Sequence, residues 1–243
     1  MNFSHVYEDY GFMHTPSFRW IDCTSLTGTD CYLAPETQSG LERLISEYRT
    51  EGLHWIDSGN YHYMTRLWTD KIAQPFDLLL IDHHPDMQRP LFDSLLSCGS
   101  WVRSMLECNE RLRNVCIIGM SADLLSECTG FGERVSIITE DDIKDSCIPD
   151  ISPDIPVYIS LDKDAFSTTE TVTNWDQGSM TFIQLKQYMS AIPKSAIIGM
   201  DICGEDPSIQ SGSNRAEDRA KNEIFNEMLY SYIATTLTIH TIR

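Results

Sequence analysis

Two short segments of this 243-residue sequence gather carboxylates and imidazoles at spacings that suit a divalent cation. Asp82-His83-His84-Pro85-Asp86 follows the apolar run Leu78-Leu79-Leu80-Ile81, and Asp162-Lys163-Asp164 follows Val157-Tyr158-Ile159-Ser160-Leu161. A third run, Ile197-Ile198-Gly199-Met200, leads into Asp201. Alternate side chains of an extended backbone point the same way, so Asp82, His84 and Asp86 are expected to converge, as are Asp162 and Asp164. Burying four carboxylates together is costly, because burial penalises each charge and like charges raise each other's pKa. A divalent cation removes that cost. A carboxylate-rich set with one or two imidazoles suits Mn2+ best, with Zn2+ or Fe2+ as alternatives. Asp and His at strand ends also act as turn and cap residues. Two such sets closing two apolar runs in one chain favour the metal.

The elements that must position these residues alternate along the chain. Strands are expected at 18–23, 53–56, 76–81, 114–119, 135–139, 157–161, 196–200 and 236–242, and helices at 41–49, 61–72, 95–106, 181–191 and 216–233. The strands are continuous apolar runs, the pattern of a parallel sheet covered on both faces. Ligands of such sheets bind beyond the carboxyl ends of the strands, where the acidic segments fall. A single α/β domain over residues 1–243 is expected. The polar segment 204–218 reads as an active-site loop or a locally disordered stretch. His83 reads as a packing or supporting residue beside the ligands.

Composition narrows the partners. A formal net charge of −18 and a pI near 4.6, without a run of Lys and Arg, argue against nucleic acid. The eight cysteines form no C-x-x-C pair, so a structural zinc ribbon has little support. The N-terminus lacks the basic-then-apolar order of a signal peptide, and no apolar stretch nears the ~20 residues of a membrane span. The expected setting is the cytoplasm, away from membranes, with reduced thiols. Neither a G-x-S-x-G elbow nor a P-loop is present.

These residues resemble the arginase family, the ureohydrolases. The family's Asp-x-His-x-Asp motif is matched in full by Asp82, His84 and Asp86, and its Ser-x-Asp-x-Asp motif by Ser160, Asp162 and Asp164. Its first ligand, a histidine opening a helix after Gly-Gly-Asp, corresponds to His62 in Ser58-Gly59-Asn60-Tyr61-His62. The segment Trp175-Asp176-Gln177-Gly178-Ser179-Met180-Thr181 resembles the family's Gly-Gly-Leu-Thr helix start. The matched order spans residues 58 to about 207.

The resemblance implies a three-layer α/β/α sandwich around a mostly parallel sheet, carrying two Mn2+ ions per chain. His62 and Asp86 would hold one ion, His84 and Asp164 the other, and Asp82 and Asp162 would contact both. The implied activity is hydrolysis of a C–N bond in a small guanidino, amidino or amide compound, by water activated between the metals. Asp164 would handle the proton. Two departures bear on substrate. Where the family carries a guanidinium-binding glutamate, this sequence has Gly204, with Glu205 one place later. Cys98 pairs, after a one-residue gap, with a family histidine. Arginine itself is therefore not the expected substrate. Glu205 and Asp176 are the candidate substrate contacts, and Cys98, at an expected helix start that would lower its pKa, is a candidate for proton transfer. A single-metal, deacetylase-like amidohydrolase and a metal-binding relative without turnover are the competing readings, and a homo-oligomer stays open.

Overall fold

The computed structural model describes residues 1–90, 95–144, 154–209 and 214–236. In chain order the strands are β1 (Tyr32–Leu33), β2 (Leu53–Trp55), β3 (Phe76–Ile81), β4 (Leu96–Ser97), β5 (Leu112–Met120), β6 (Val135–Thr139), β7 (Val157–Asp162) and β8 (Ile197–Cys203). The α-helices are α1 (Pro35–Ile45), α2 (Met64–Thr69), α3 (Trp101–Cys108), α4 (Glu140–Lys144), α5 (Phe182–Ala191) and α6 (Ala216–Thr236). Six strands form a parallel sheet in the order β2-β8-β7-β3-β5-β6, and β1 and β4 form a separate antiparallel ribbon.

The apolar runs explain the layers. Leu78, Leu80, Val115 and Ile117 face one side of the sheet and pack with Leu41 of α1, Trp68 of α2 and Met105 of α3. Their sequence neighbours Leu79, Ile81 and Ile118 face the other, with Leu185 of α5 and Phe225 of α6. Period-two alternation with both faces apolar gives the expected α/β/α sandwich. No helix among the described residues is long and apolar enough to cross a membrane.

The topology says where a ligand should sit. From β3 the chain moves outward on one side to β5 and β6, then returns to place β7 and β8 on the other side of β3. The strand order thus reverses between β3 and β7, and a crevice opens there beyond their carboxyl ends. The register Ile81↔Leu161 brings Asp82 and Asp162 to that crevice.

Several expected elements take a different form. The run 18–23 forms no strand and makes only the isolated bridge Asn2↔Asp22. Its rings pack on neighbouring side chains instead, Phe18 on Phe12 and Tyr230 at 5.8 and 5.2 Å, and Trp20 stacked on His14. The expected helix 61–72 is a 3-10 turn, Gly59–Tyr61, followed by α2. That expected at 95–106 opens as β4 and becomes helical only at Trp101. Helix α1 begins earlier than expected because Pro35 occupies its first turn, where the missing N–H is harmless. The strand expected at 236–242 falls, after the last residue of α6, outside the described residues.

Candidate metal centre

The two imidazoles of the centre are presented by different elements. His62 follows the Gly59–Tyr61 turn and is buried. Its Nε2 lies 2.8 Å from Ser160 Oγ on β7, and Ser160 Oγ donates to Asp201 Oδ1 on β8 at 2.6 Å. With that hydroxyl proton committed to Asp201, His62 Nε2 donates to Ser160, and Nδ1 carries the lone pair. Nδ1 then faces Asp86 Oδ2 at 3.0 Å, Asp82 Oδ2 at 3.3 Å and Asp162 Oδ2 at 3.5 Å. A lone pair among carboxylate oxygens is repulsive unless a proton or a metal ion lies between them. Burial opposes protonation of this ring, yet Cys203, Asp82 and Asp86 together push its basicity well up.

The second imidazole, His84, is partly exposed at the crevice. Its Nδ1 lies 2.9 Å from Asp164 Oδ2 and 3.6 Å from Asp82 Oδ1. Burial again opposes charging, but Asp164 and Asp82 push His84 up to about 12. Burial and the Asp82 carboxylate push Asp164 up to about 6, against the pull of His84. Asp82 therefore has one oxygen toward each imidazole. Its Oδ2 is buried without an aligned hydrogen bond, as is Asp201 Oδ2 on β8.

The local backbone serves this arrangement. Asp86 has a left-handed φ of 50°, an uncommon conformation for a residue with a Cβ. Trp101 Nε1 donates to its Oδ2 at 2.5 Å, and Val102 N to its carbonyl at 3.1 Å, so α3 holds the strained residue in place. Asp162 Oδ1 accepts from Asp164 N at 2.9 Å, which leaves Oδ2 toward His62.

Ligand atoms of three groups lie within 4.8 Å of one another: His62, Asp82 and Asp86; Asp82, His84 and Asp164; and His62, Asp162 and Cys203. The first two share Asp82. Asp162 stands with His62 alone in this grouping rather than between both imidazoles. The six residues expected as ligands converge on one crevice, and Cys203, which joins the third group, is not among the expected residues. The sequence signal for it was the alternation Asp201, Cys203, hidden because the expected strand stopped at Met200 while β8 runs on to Cys203.

The remaining site expectations fare unevenly. The six expected ligands, Cys98 and Trp175 line a cavity of about 220 Å³. Cys98 is buried ahead of α3 rather than in its first turn, and burial followed by the Asp86 carboxylate pushes its thiol well up, the reverse of the expected lowering. Asp176 is exposed and does not line the cavity, although its neighbour Trp175 does. Glu205 is fully buried behind the cluster, paired with Lys163 and with Asn222 and Asn226 of α6, so it does not reach the cavity either. Of the polar segment 204–218, residues 210–213 lie outside the described residues; Asp206 and Asp218 are held by Arg215 at 2.7 and 2.8 Å. A larger cavity, about 500 Å³ among Trp20, His54, Trp55, Trp68 and Tyr230, shares no wall with the carboxylate cluster.

Fold and cluster together define an α/β protein with a carboxylate–imidazole centre at the sheet's switch point. The chain belongs to the arginase family, whose model matches residues 54–230. A protein of Thermotoga maritima described as uncharacterized is 23% identical over 230 residues, covering 95% of this chain and 88% of its own. Among solved structures, proclavaminate amidino hydrolase from Streptomyces clavuligerus superposes with a TM-score of 0.57 at 18% identity, covering 81% of this chain and 68% of that one. A triple mutant of the T. brucei arginase-like protein, bound with Mn2+, gives a TM-score of 0.63 at 18% identity, covering 90% of this chain and 71% of that one. At these identities the structural likeness is one of fold.

Proposed function

We propose that this protein is a binuclear-metal hydrolase cleaving a C–N bond of a small guanidino, amidino or amide compound other than arginine. The observation that carries the reading is Asp82, whose two oxygens lie 3.3 and 3.6 Å from two different imidazoles, each with a further carboxylate of its own. Two divalent cations held there, Mn2+ being the expected occupant, would supply an activated water and a Lewis acid at one point. His62, Asp82, Asp86 and Asp162 are the ligands assigned to the buried position, and Asp82, His84 and Asp164 to the outer one. The family membership and the amidino hydrolase named among its structural neighbours support the reaction class.

The residues of this chain set the rest of the chemistry. Asp164, at the crevice beside His84, is the carboxylate assigned to pass the proton that the leaving nitrogen must gain. No Lys or Arg among the described residues lines the cavity, and Glu127 adds an acidic wall, which favours a neutral or cationic head group. Its volume lies below the roughly 300–1,000 Å³ of drug-sized pockets and suits a small substrate. We place the enzyme in the cytoplasm, working on a diffusible small molecule.

The test is a screen of guanidino, amidino and acyl-amide compounds against Mn2+-loaded protein, read as ammonia, urea or amine released. Turnover that vanishes in Asp82→Asn supports the reading. Two bound metals with no turnover across the panel would leave a metal-binding relative, and a single bound metal would favour a deacetylase-like enzyme.

A further inference from the structure

The cluster contains one donor that is neither oxygen nor nitrogen. Cys203, the last residue of β8, pairs in register with Asp162 at the end of β7, and its side chain is fully buried. Its Sγ lies 3.1 Å from Asp162 Oδ2, and Sγ, Asp162 and His62 offer ligand atoms within 4.8 Å of one another. Directly behind it, Gly204 turns the chain with φ 96°, and a Cβ there would come within 2.3 Å of Asp162 Oδ1. Only a residue without a side chain lets the backbone pass so close, keeping thiol and carboxylate together. Buried Asp82 Oδ2, which faces His62 Nδ1 at 3.3 Å yet makes no aligned hydrogen bond, is a second observation that the same space is built for a cation.

We propose that Cys203 is a thiolate ligand of the cation held by His62, Asp82, Asp86 and Asp162, and that the two metal positions consequently differ in preference. The inference rests on the metal centre proposed above and adds its inner donor. The inner position, with one sulfur donor, is selective for Zn2+, Fe2+ or Co2+. The outer one, with only Asp82, His84 and Asp164, keeps the preference of oxygen-rich sites for Mn2+. The separations suit it. Ligand bonds of about 2.0–2.3 Å put neighbouring donors roughly 2.9–3.6 Å apart over the angles of five- and four-coordinate sites, against 3.5 Å between His62 Nδ1 and Asp162 Oδ2 and 3.1 Å between Cys203 Sγ and Asp162 Oδ2. On binding, the S–H bond breaks, its electron pair becomes the donor to the cation, and the proton leaves to water.

The experiment titrates metal-stripped protein with Co2+ and follows the near-ultraviolet spectrum, where a sulfur-to-cobalt charge-transfer band reports thiolate ligation. The band should appear in wild type, persist in Cys31→Ser and Cys98→Ser, whose thiols line the cavity, and vanish in Cys203→Ser. Cys203→Ser should also lose about a hundredfold or more in Zn2+ affinity, beyond the 10–100-fold typical of losing an outer-shell partner, with a far smaller change for Mn2+. Should Cys203→Ser fail to fold, the cadmium-113 resonance of wild type decides, since a thiolate ligand moves it far downfield. Co2+ bound without the band, a band that survives Cys203→Ser, or an upfield cadmium signal would each overturn the proposal while leaving the metal centre intact. A wild-type protein that retains no Co2+ or Mn2+ would instead overturn both.

Discussion

Lys163 and Glu205 form a fully buried ion pair immediately behind the carboxylate cluster. Lys163 sits between Asp162 and Asp164, so its Nζ points away from the crevice as those carboxylates point into it. Glu205 also accepts from Asn226 Nδ2 at 2.6 Å, Asn222 Nδ2 at 3.0 Å and the Tyr10 hydroxyl at 3.3 Å. The segment that delivers Asp162 and Asp164 is thereby bolted to α6 and to the N-terminal region. Glu205→Ala, which strands the buried ammonium, should cost about 3–5 kcal/mol of stability, read as a shift in denaturant midpoint. The milder Glu205→Gln should leave the KM of any substrate found in the screen nearly unchanged. A raised KM at unchanged stability would return Glu205 to the substrate.

The shared carboxylate makes a second prediction. Asp82→Asn should weaken both metals, because one side chain faces both imidazoles. His62→Ala should weaken mainly the inner ion, leaving Asp82, His84 and Asp164 to hold the other. Elemental analysis of metal-loaded variants should give well under one ion per chain in the first and close to one in the second.

Arginine should be a poor substrate. Gly204 offers no carboxylate, and Glu205 is occupied elsewhere, so a guanidinium would forgo charge-assisted hydrogen bonds of about 1.5–3 kcal/mol each. Urea release from arginine should stay well below a kcat/KM of about 10⁴ M⁻¹s⁻¹, the lower end of ordinary enzyme efficiency. Gly204→Glu should not restore it, because any side chain at φ 96° collides with Asp162.

A pH effect follows from His54, which lies outside the metal centre. Its half-buried ring stacks on Trp68 at 3.8 Å, and Nε2 lies 3.1 Å from the Arg49 carbonyl, so that nitrogen carries the proton. Burial depresses its pKa to about 3 from an ordinary 6.5, so the folded protein holds this ring neutral. The unfolded chain takes up a proton below about pH 6.5 that the folded chain refuses. The resulting stability is present above pH 6.5 and is lost progressively as the pH falls toward 3. Denaturant midpoints of wild type and His54→Gln should converge or cross across that window, and a constant difference from pH 7 to 4 would rule the effect out.

The parts legible in the sequence are those governed by local pattern. The runs 76–81 and 135–139 became β3 and β6 at those bounds, because an unbroken apolar run is what a strand covered on both faces requires. Asp82, His84 and Asp86 converge despite the bend at Asp86, whose left-handed backbone no spacing rule announces. Tertiary contacts decided the rest. Whether 18–23 pairs as a strand or packs its rings depends on Tyr230, more than 200 residues away in sequence. Glu205 faces α6 rather than the crevice because a turn at Gly204 reverses its direction and Lys163 waits on the other side. Cys203 escaped notice because the end of a strand is the least readable part of it.

The strand order has a consequence for how the protein is made. Edge strand β2 pairs only with β8, Leu53 opposite Met200, and central β3 meets β7 with Asp77 opposite Val157. Parallel pairings between such distant residues give a high contact order and slow folding. At the ribosome, His62, Asp82 and Asp86 emerge 100, 80 and 76 residues ahead of Asp162, roughly 4–20 s at 5–20 residues per second. Until β7 and β8 arrive, those three side chains belong to an unfinished sheet open to solvent. Any cation the centre keeps must therefore be captured, or at least locked in, after Cys203 has left the exit tunnel. Cellular metal supply would act on the completed chain and not on its nascent form.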